Sequence, residues 1–142
     1  MKILFVIIML CTGISLTGQI GNLKDLRWEK RILVVDGVDS IRSKQVSVFQ
    51  DQQKECNDRR LLVLIPQDNT TLISINELPR RQYSFSKKIY RKVDREKNLN
   101  VVLLGLDGGV KYSSTTLVMP QTIFDLIDSM PMRKNEIRYR KQ

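Results

Sequence analysis

Few residue types in this chain could carry catalysis. The 142 residues include no histidine and two cysteines, Cys11 and Cys56. The lack of histidine excludes Ser-His-Asp and Cys-His catalysis and every zinc site that needs an imidazole. Two cysteines are also too few for a zinc site made of thiolates alone. We therefore expect no metal and no cofactor, and an enzyme is the less favoured class of protein.

Cys56 is the one candidate for redox chemistry. It lies near the C-terminal end of a predicted helix, where the helix dipole raises rather than lowers a thiol pKa. A buried and inert cysteine is the alternative interpretation, since free cysteine is among the most buried residue types. The residue types thus favour the inert interpretation over the redox one.

Positive charge is the strongest physical signal in the sequence. Lysine and arginine number 24 against 15 acidic residues, which gives a formal net charge of +9. Most of the excess falls in residues 80–97 and 133–142, and this asymmetry favours contact with a polyanion through counterion release. A solvated surface that keeps the protein soluble is the alternative. The candidate anion-binding residues are Arg80, Arg81, Lys87, Lys88, Arg91, Lys92, Arg133, Lys134, Arg138, Arg140 and Lys141.

Aromatic residues are interleaved with the first basic segment. Tyr83, Phe85 and Tyr90 could stack on sugars or bases, although Phe85 is more economically interpreted as a core residue. Phe85, Ile89 and Val93 are spaced four apart, which predicts a basic helix over residues 80–97 with one apolar face.

Residues 1–18 have the pattern of a signal peptide. Lys2 precedes an apolar run from Ile3 to Cys11, and small or hydroxylated residues follow as far as Gly18. The run is of the length of a signal-peptide core, about 7–15 residues, and shorter than the roughly 20 that span a membrane. We therefore expect an exported protein, periplasmic or secreted. Its polyanion would be a glycan or an anionic envelope polymer rather than chromosomal DNA.

Three short apolar runs, residues 31–36, 60–65 and 100–106, predict strands of a sheet that is covered on both faces. A helix from Asp39 or Ser40 to about Cys56 joins the first two. Thr71 to Ile75 fits a short edge strand. The turn at residues 107–109 predicts a hairpin that returns over residues 110–113, and a last helix begins at Met119-Pro120 and ends at Pro131.

The predicted order β-α-β-α-β-β-α is that of a thioredoxin-like three-layer α/β sandwich. In that arrangement a reactive dithiol would follow the first strand, at the start of the first helix. Residues 36–41 occupy this position and contain no cysteine, which excludes the usual dithiol mechanism.

The C-terminal third carries a more specific combination of motifs. Residues 106–111, reading LDGGVK, are followed by Met119-Pro120 and by residues 123–134, reading IFDLIDSMPMRK. Together with Trp28 and Arg31 before the first strand, these motifs resemble the DUDES domain family over residues 24–140. The resemblance implies a thioredoxin-like fold related to peroxiredoxins, an extracytoplasmic setting and a domain of unknown function. It supplies no catalytic residue, and we expect the Met-Pro-Met-Arg segment to close the core rather than to form a site.

These observations divide the chain into a signal peptide (1–18), a thioredoxin-like domain (24–132) and a basic C-terminal tail (133–142). The favoured function is non-enzymatic binding of an anionic glycan or envelope polymer. The alternative is a peroxiredoxin-related redox protein that uses Cys56 alone. A protein partner held at the sheet edge near Thr71–Ile75 is a third hypothesis.

Overall fold

The fold is built on a mixed sheet, seen here in a computed structural model that describes residues 20–86 and 99–141. Its strands are Gly21–Asn22 (β1), Arg31–Val35 (β2), Leu61–Pro66 (β3), Thr71–Ser74 (β4), Gln82–Ser84 (β5), Val101–Leu104 (β6) and Val110–Ser114 (β7). The described helices are a 3-10 helix, Leu23–Leu26, and the α-helices Asp39–Gln50 (α1), Gln53–Asp58 (α2), Pro120–Ser129 (α3) and Pro131–Arg140 (α4). The expected α/β class is confirmed.

The strand order in the sheet is β1-β5-β4-β3-β2-β6-β7. β2 pairs in parallel with β3 and antiparallel with β6, and β6 and β7 form the predicted hairpin. Every residue of β2 is buried, and its apolar side chains point to both covered faces of the sheet. The three apolar runs that predicted buried strands are thus confirmed as β2, β3 and β6.

Two apolar clusters lie on opposite faces of the sheet. Leu33 and Val35 point into the cluster that holds Phe49 of α1 and Phe124 of α3. The rings of Phe49 and Phe124 pack edge to face, with 6.3 Å between their centroids. Ile32 and Val34 join the second cluster, which includes residues of the 3-10 helix and of β5. This alternation is the period of a strand, and it places the side chains of neighbouring residues in different cores.

The prediction that Thr71–Ile75 forms a sheet edge is wrong. β4 pairs with β3 on one side and with β5 on the other, so its backbone groups are used within the sheet. The outer strands among the described residues are β1 and β7. A partner that adds a strand beside Thr71–Ile75 therefore finds no free edge there.

The prediction of a helix over residues 80–97 is wrong for its N-terminal part. Residues 82–84 form β5, in which Tyr83 is buried between two half-buried neighbours, as alternation along a strand requires. Phe85 is buried in the second cluster, which confirms its core role. Residues 87–98, where the rest of the predicted helix falls, lie outside the described residues.

The C-terminal segment is helical rather than a tail. Pro131 ends α3 as predicted, but it also opens α4, because proline lacks only an N–H that the first turn leaves unpaired. The predicted first helix is likewise interrupted at Asp51-Gln52, which separates α1 from α2. None of the helices within residues 20–86 and 99–141 has the length and apolar character to cross a membrane.

Candidate functional site

Four arginines from different parts of the chain share carboxylate partners at one end of the sheet. We call Arg31, Arg59, Arg133 and Arg140 the arginine cluster. The guanidinium of Arg31 is 1% exposed, donates to both carboxylate oxygens of Glu136 at 3.1 and 3.4 Å, and donates to the carbonyl of Arg59 at 2.8 Å. A charge buried this deeply is tolerated because it is paired and hydrogen-bonded.

Arg133 is the centre of this cluster. It is 3% exposed, and its guanidinium donates to Asp58, to Asp128 at 3.0 Å and to the carbonyl of Asp58 at 2.8 Å, while Glu136 lies 3.5 Å away. Arg140 pairs with the other oxygen of Asp58. The cluster thereby ties α2, α3 and α4 together. Arg133 and Arg140, which the sequence offered as anion-binding residues, already have carboxylate partners, and the burial of Arg133 keeps it from a polyanion.

The pairings shift the protonation equilibria of these groups. The hydrogen bond from Arg140 lowers the pKa of Asp58, with Arg133 adding to the effect. Burial disfavours the charged form of Arg133, but its hydrogen bonds to Asp128 and Asp58 outweigh burial and hold its pKa above the ordinary value. The charges of the cluster are therefore stabilised by one another.

Cys56 lies in α2 beside this cluster and is fully buried. Burial raises the pKa of its thiol to about 12, and the favourable charge of Arg59 does not offset that effect. Since the thiolate is the reactive form, the surroundings of Cys56 are those of an inert core residue.

The other predicted anion-binding residues are dispersed. Lys134, Arg138 and Lys141 are exposed on or just after α4. Arg80 and Arg81 are exposed before β5, where they line a cavity of about 690 Å³ together with Asp25. The burial of Tyr83 and Phe85 leaves neither ring free to stack on a ligand. Lys87, Lys88, Tyr90, Arg91 and Lys92 lie outside the described residues.

A tight turn before β2 presents a large aromatic side chain to solvent. Trp28 is 55% exposed and has a φ of +70°, a conformation that residues other than glycine rarely adopt. Its backbone N–H donates to the carbonyl of Leu106 at 2.7 Å, and the Arg27 guanidinium lies 5.6 Å from its ring centroid. Backbone strain held in place by a hydrogen bond often marks a functional position.

Three cations line a cavity of about 350 Å³ next to this turn. We call this cavity, with Lys24, Arg27 and Lys30 in its wall, the basic cavity. Within residues 20–86 and 99–141, none of the three forms a salt bridge with a carboxylate. Asp107 also lines the cavity, but its carboxylate already accepts from Lys111 at 2.9 Å. That hydrogen bond lowers the pKa of Asp107 and keeps its carboxylate ionised, and among the described residues this carboxylate forms its salt bridge with Lys111 rather than with the three cations.

The turn between β6 and β7 forms the opposite wall of the basic cavity. Gly108 has a φ of +75°, which glycine adopts without steric cost. A side chain at Gly105 would lie 2.5 Å from a Lys111 carbon and 2.9 Å from an Asp107 oxygen. Gly105, just before the LDGGVK motif, and Gly108 within it therefore allow the turn and the Asp107–Lys111 pair to pack closely against the cavity.

Sequence reasoning missed all three cations of the basic cavity. Asp25 and Glu29 are interspersed with them, so residues 23–30 have little net charge and a count of charged residues does not single out this segment. The sequence did offer one signal for this region, which is a tryptophan in a polar segment with basic neighbours. The structure adds that the 3-10 helix and the turn place the three cations around one cavity.

These features define a mixed α/β domain with an uncompensated basic cavity at one end of its sheet. Residues 22–136 match the family described as Domain of unknown function (DUF4174), and the chain belongs to this family. The expectation of a domain of unknown function is thus confirmed, whereas the DUDES resemblance stays a prediction. Neither a curated protein nor a solved structure matches the chain.

Proposed function

We propose that this protein is an exported, thioredoxin-like domain that acts as a non-enzymatic binding module for an anionic glycan or envelope polymer. Its principal contact is the basic cavity of Lys24, Arg27 and Lys30, with Trp28 beside it. The observation that carries the proposal is that these three cations line one cavity and form no salt bridge with a carboxylate of residues 20–86 or 99–141. Uncompensated positive charge around a concave surface attracts anions and concentrates them there.

The strand arrangement supports the thioredoxin-like part of the proposal. β2, α1, α2 and β3 form a β-α-β unit with parallel strands, and β6, β7 and α3 form a β-β-α unit whose first strand runs antiparallel to β2. This is the order that the sequence pattern predicts for such a domain. The exported location rests on the signal-peptide pattern of residues 1–18, which lie outside the described residues.

No observation favours the redox alternative. The single thiol of the described residues is buried, its pKa is raised, and it lies far from the start of α1, where a thioredoxin-like domain would hold its reactive cysteine. The binding function needs no nucleophile and no cofactor.

The proposal is tested with heparin as a probe polyanion at low salt. We expect the double variant Lys24→Gln and Lys30→Gln to bind at least about tenfold more weakly than wild type, since two charge-assisted contacts are lost. The matched control is Lys44→Gln and Lys54→Gln, which removes two exposed lysines on α1 and α2. If both double variants lose affinity equally, binding depends on net charge alone and the basic cavity is not the site.

Two further variants rank the other basic segments of the sequence in the same assay. One changes Lys134, Arg138 and Lys141 to glutamine, and the other changes Lys87, Lys88, Arg91 and Lys92 to glutamine. Each should cost less affinity per charge than the cavity variant. A larger loss per charge in either would move the site to that surface.

A further inference from the structure

An apolar cavity of about 400 Å³ adjoins the basic cavity. Its walls include Trp28, Leu106, Met130, Pro131 and Met132, and we call it the apolar slot. The two cavities share Gly105 and Asp107, so a ligand that enters one lies next to the other. The volume is within the range of small-ligand pockets. The Met-Pro-Met-Arg segment therefore does more than close the core: Met130 packs on the core, and Met132 is 47% exposed beside the slot.

A residue in the wall of the slot carries a buried hydrogen-bond donor that has no acceptor among the described residues. Arg31 lines the slot, and its Nε–H has no partner among the described residues, whereas Nη1 of the same guanidinium donates two hydrogen bonds and Nη2 donates one. A buried donor without a partner costs free energy, and native structures rarely leave one without a reason. An acceptor oxygen from a ligand would remove this cost. Met130 and Met132 are unbranched and adaptable, so they can make room for it.

The chemistry of the slot restricts the acceptor. Arg31 already pairs with Glu136, so a carboxylate at Nε would bring a second anion close to Glu136. A neutral carbonyl oxygen satisfies the single N–H without that repulsion. A purely apolar ligand would leave the donor unpaired. The slot therefore suits a small apolar group that carries one carbonyl oxygen.

Trp28 adds a surface for a ring. Its side chain lines the slot and a further cavity of about 480 Å³, and it is more than half exposed. The C–H groups on the face of a pyranose pack well on an indole ring, which combines a large apolar surface with a polar edge. The cations of the basic cavity, which adjoins the slot, could pair with an acidic group on a neighbouring sugar.

We infer that the ligand is an acidic glycan that contains an N-acetylated amino sugar. The acetyl methyl occupies the apolar slot, its carbonyl oxygen accepts from Arg31 Nε, the sugar ring lies against Trp28, and an acidic group on an adjacent residue reaches the basic cavity. This inference rests on the proposed function and adds to it the class of sugar that is recognised.

The test compares two neutral oligosaccharides, tetra-N-acetylchitotetraose and cellotetraose, which share a β-1,4 backbone and differ in the acetamido group. Wild type should bind the acetylated tetramer at least about tenfold more tightly, because only that ligand offers the carbonyl acceptor. In NMR titrations the Arg31 Nε–H resonance should shift with the acetylated tetramer and stay fixed with cellotetraose. Equal affinities, or an unmoved Arg31 resonance, would overturn the inference.

Variants at two exposed methionines locate the site. Met132→Trp fills the slot and should abolish the preference for the acetylated tetramer. Met119→Trp is the matched control, because Met119 is also exposed beside a helix-opening proline but does not line the slot. It should keep the wild-type preference. A preference that survives Met132→Trp would place acetyl recognition elsewhere and would overturn the inference.

Heparin binding separates the two proposals. If Lys24→Gln with Lys30→Gln weakens heparin binding while neither tetramer is preferred, the proposed function stands and the N-acetyl inference fails. If the acetylated tetramer is preferred while heparin does not bind, the polyanion function fails and recognition of the amino sugar stands.

Discussion

The arginine cluster and the basic cavity lie at the same end of the molecule and use their positive charge in opposite ways. In the cluster, the guanidinium groups are matched by Asp58, Asp128, Glu55 and Glu136, and Arg31 and Arg133 are almost completely buried. In the cavity, three cations face solvent without carboxylate partners among the described residues. The cluster ties three helices together, whereas the cations of the cavity have no such structural partners among the described residues.

This difference shows why a count of charges does not distinguish cations that are paired with carboxylates from cations that are not. Arg133 and Arg140 belong to a segment of high net positive charge, yet their charge is compensated by carboxylates that are distant in sequence. Residues 23–30 have little net charge, yet their cations are placed together and their acidic neighbours are not paired with them. Compensation is decided by tertiary contacts, and these predict which variants lose stability and which lose binding.

The largest expected effect is on the cluster side of the comparison. Arg133→Gln removes the shared partner of Asp58, Asp128 and Glu136, and should lower the free energy of unfolding by about 3 kcal/mol. This is the low end of the usual range because Asp58 and Asp128 are partly exposed. Urea unfolding measures the change.

Arg138→Gln is the matched control for that variant. Arg138 is exposed on the same helix and donates only to Asn135, so its loss should change the stability by less than about 0.5 kcal/mol. Equal losses for Arg133→Gln and Arg138→Gln would show that burial and pairing do not set the role of these arginines.

The pH dependence of stability gives the next effect. Because the hydrogen bond from Arg140 lowers the pKa of Asp58 in the folded state, ionised Asp58 contributes stability above its unfolded pKa of about 3.9. That contribution is lost as the pH falls from about 5 through the lower folded pKa. Asp58→Asn should therefore show a shallower loss of stability in acid than wild type.

Asp51→Asn provides the control for the pH experiment. Asp51 is exposed between α1 and α2 and takes no part in the cluster, so this variant should keep the wild-type slope. If Asp58→Asn also keeps it, the carboxylates of the cluster do not contribute to acid stability. Arg140→Gln, which removes the largest cause of the shift, should behave like Asp58→Asn.

Much of the sheet could be predicted from the sequence. The runs at residues 31–36, 60–65 and 100–106 are continuous and apolar, and such runs are stable only when both faces of a sheet are covered. The turn at Gly108 and the helix opened by Pro120 follow from backbone preferences that act locally. These elements need little information from the rest of the chain.

The errors arose where tertiary contacts decide. Phe85 fits a helical period of four with Ile89 and Val93, but the pairing of β5 with β4 and β1 makes residues 82–84 a strand. The segment after Pro131 has no apolar stripe from which a packed helix could be predicted. The side chain that this helix buries is a charged one, Arg133. Its burial depends on Asp58 and Asp128, and no local pattern reveals those partners.

The salt dependence of heparin binding shows whether the basic cavity contacts the polyanion. The affinities of wild type and of the triple variant with Lys24, Arg27 and Lys30 changed to glutamine are measured at several salt concentrations. We expect a linear fall of log affinity with log salt concentration, with a slope that is shallower in the triple variant by roughly one unit per cation removed. Identical slopes in the two proteins would contradict the claim that the basic cavity binds the polyanion.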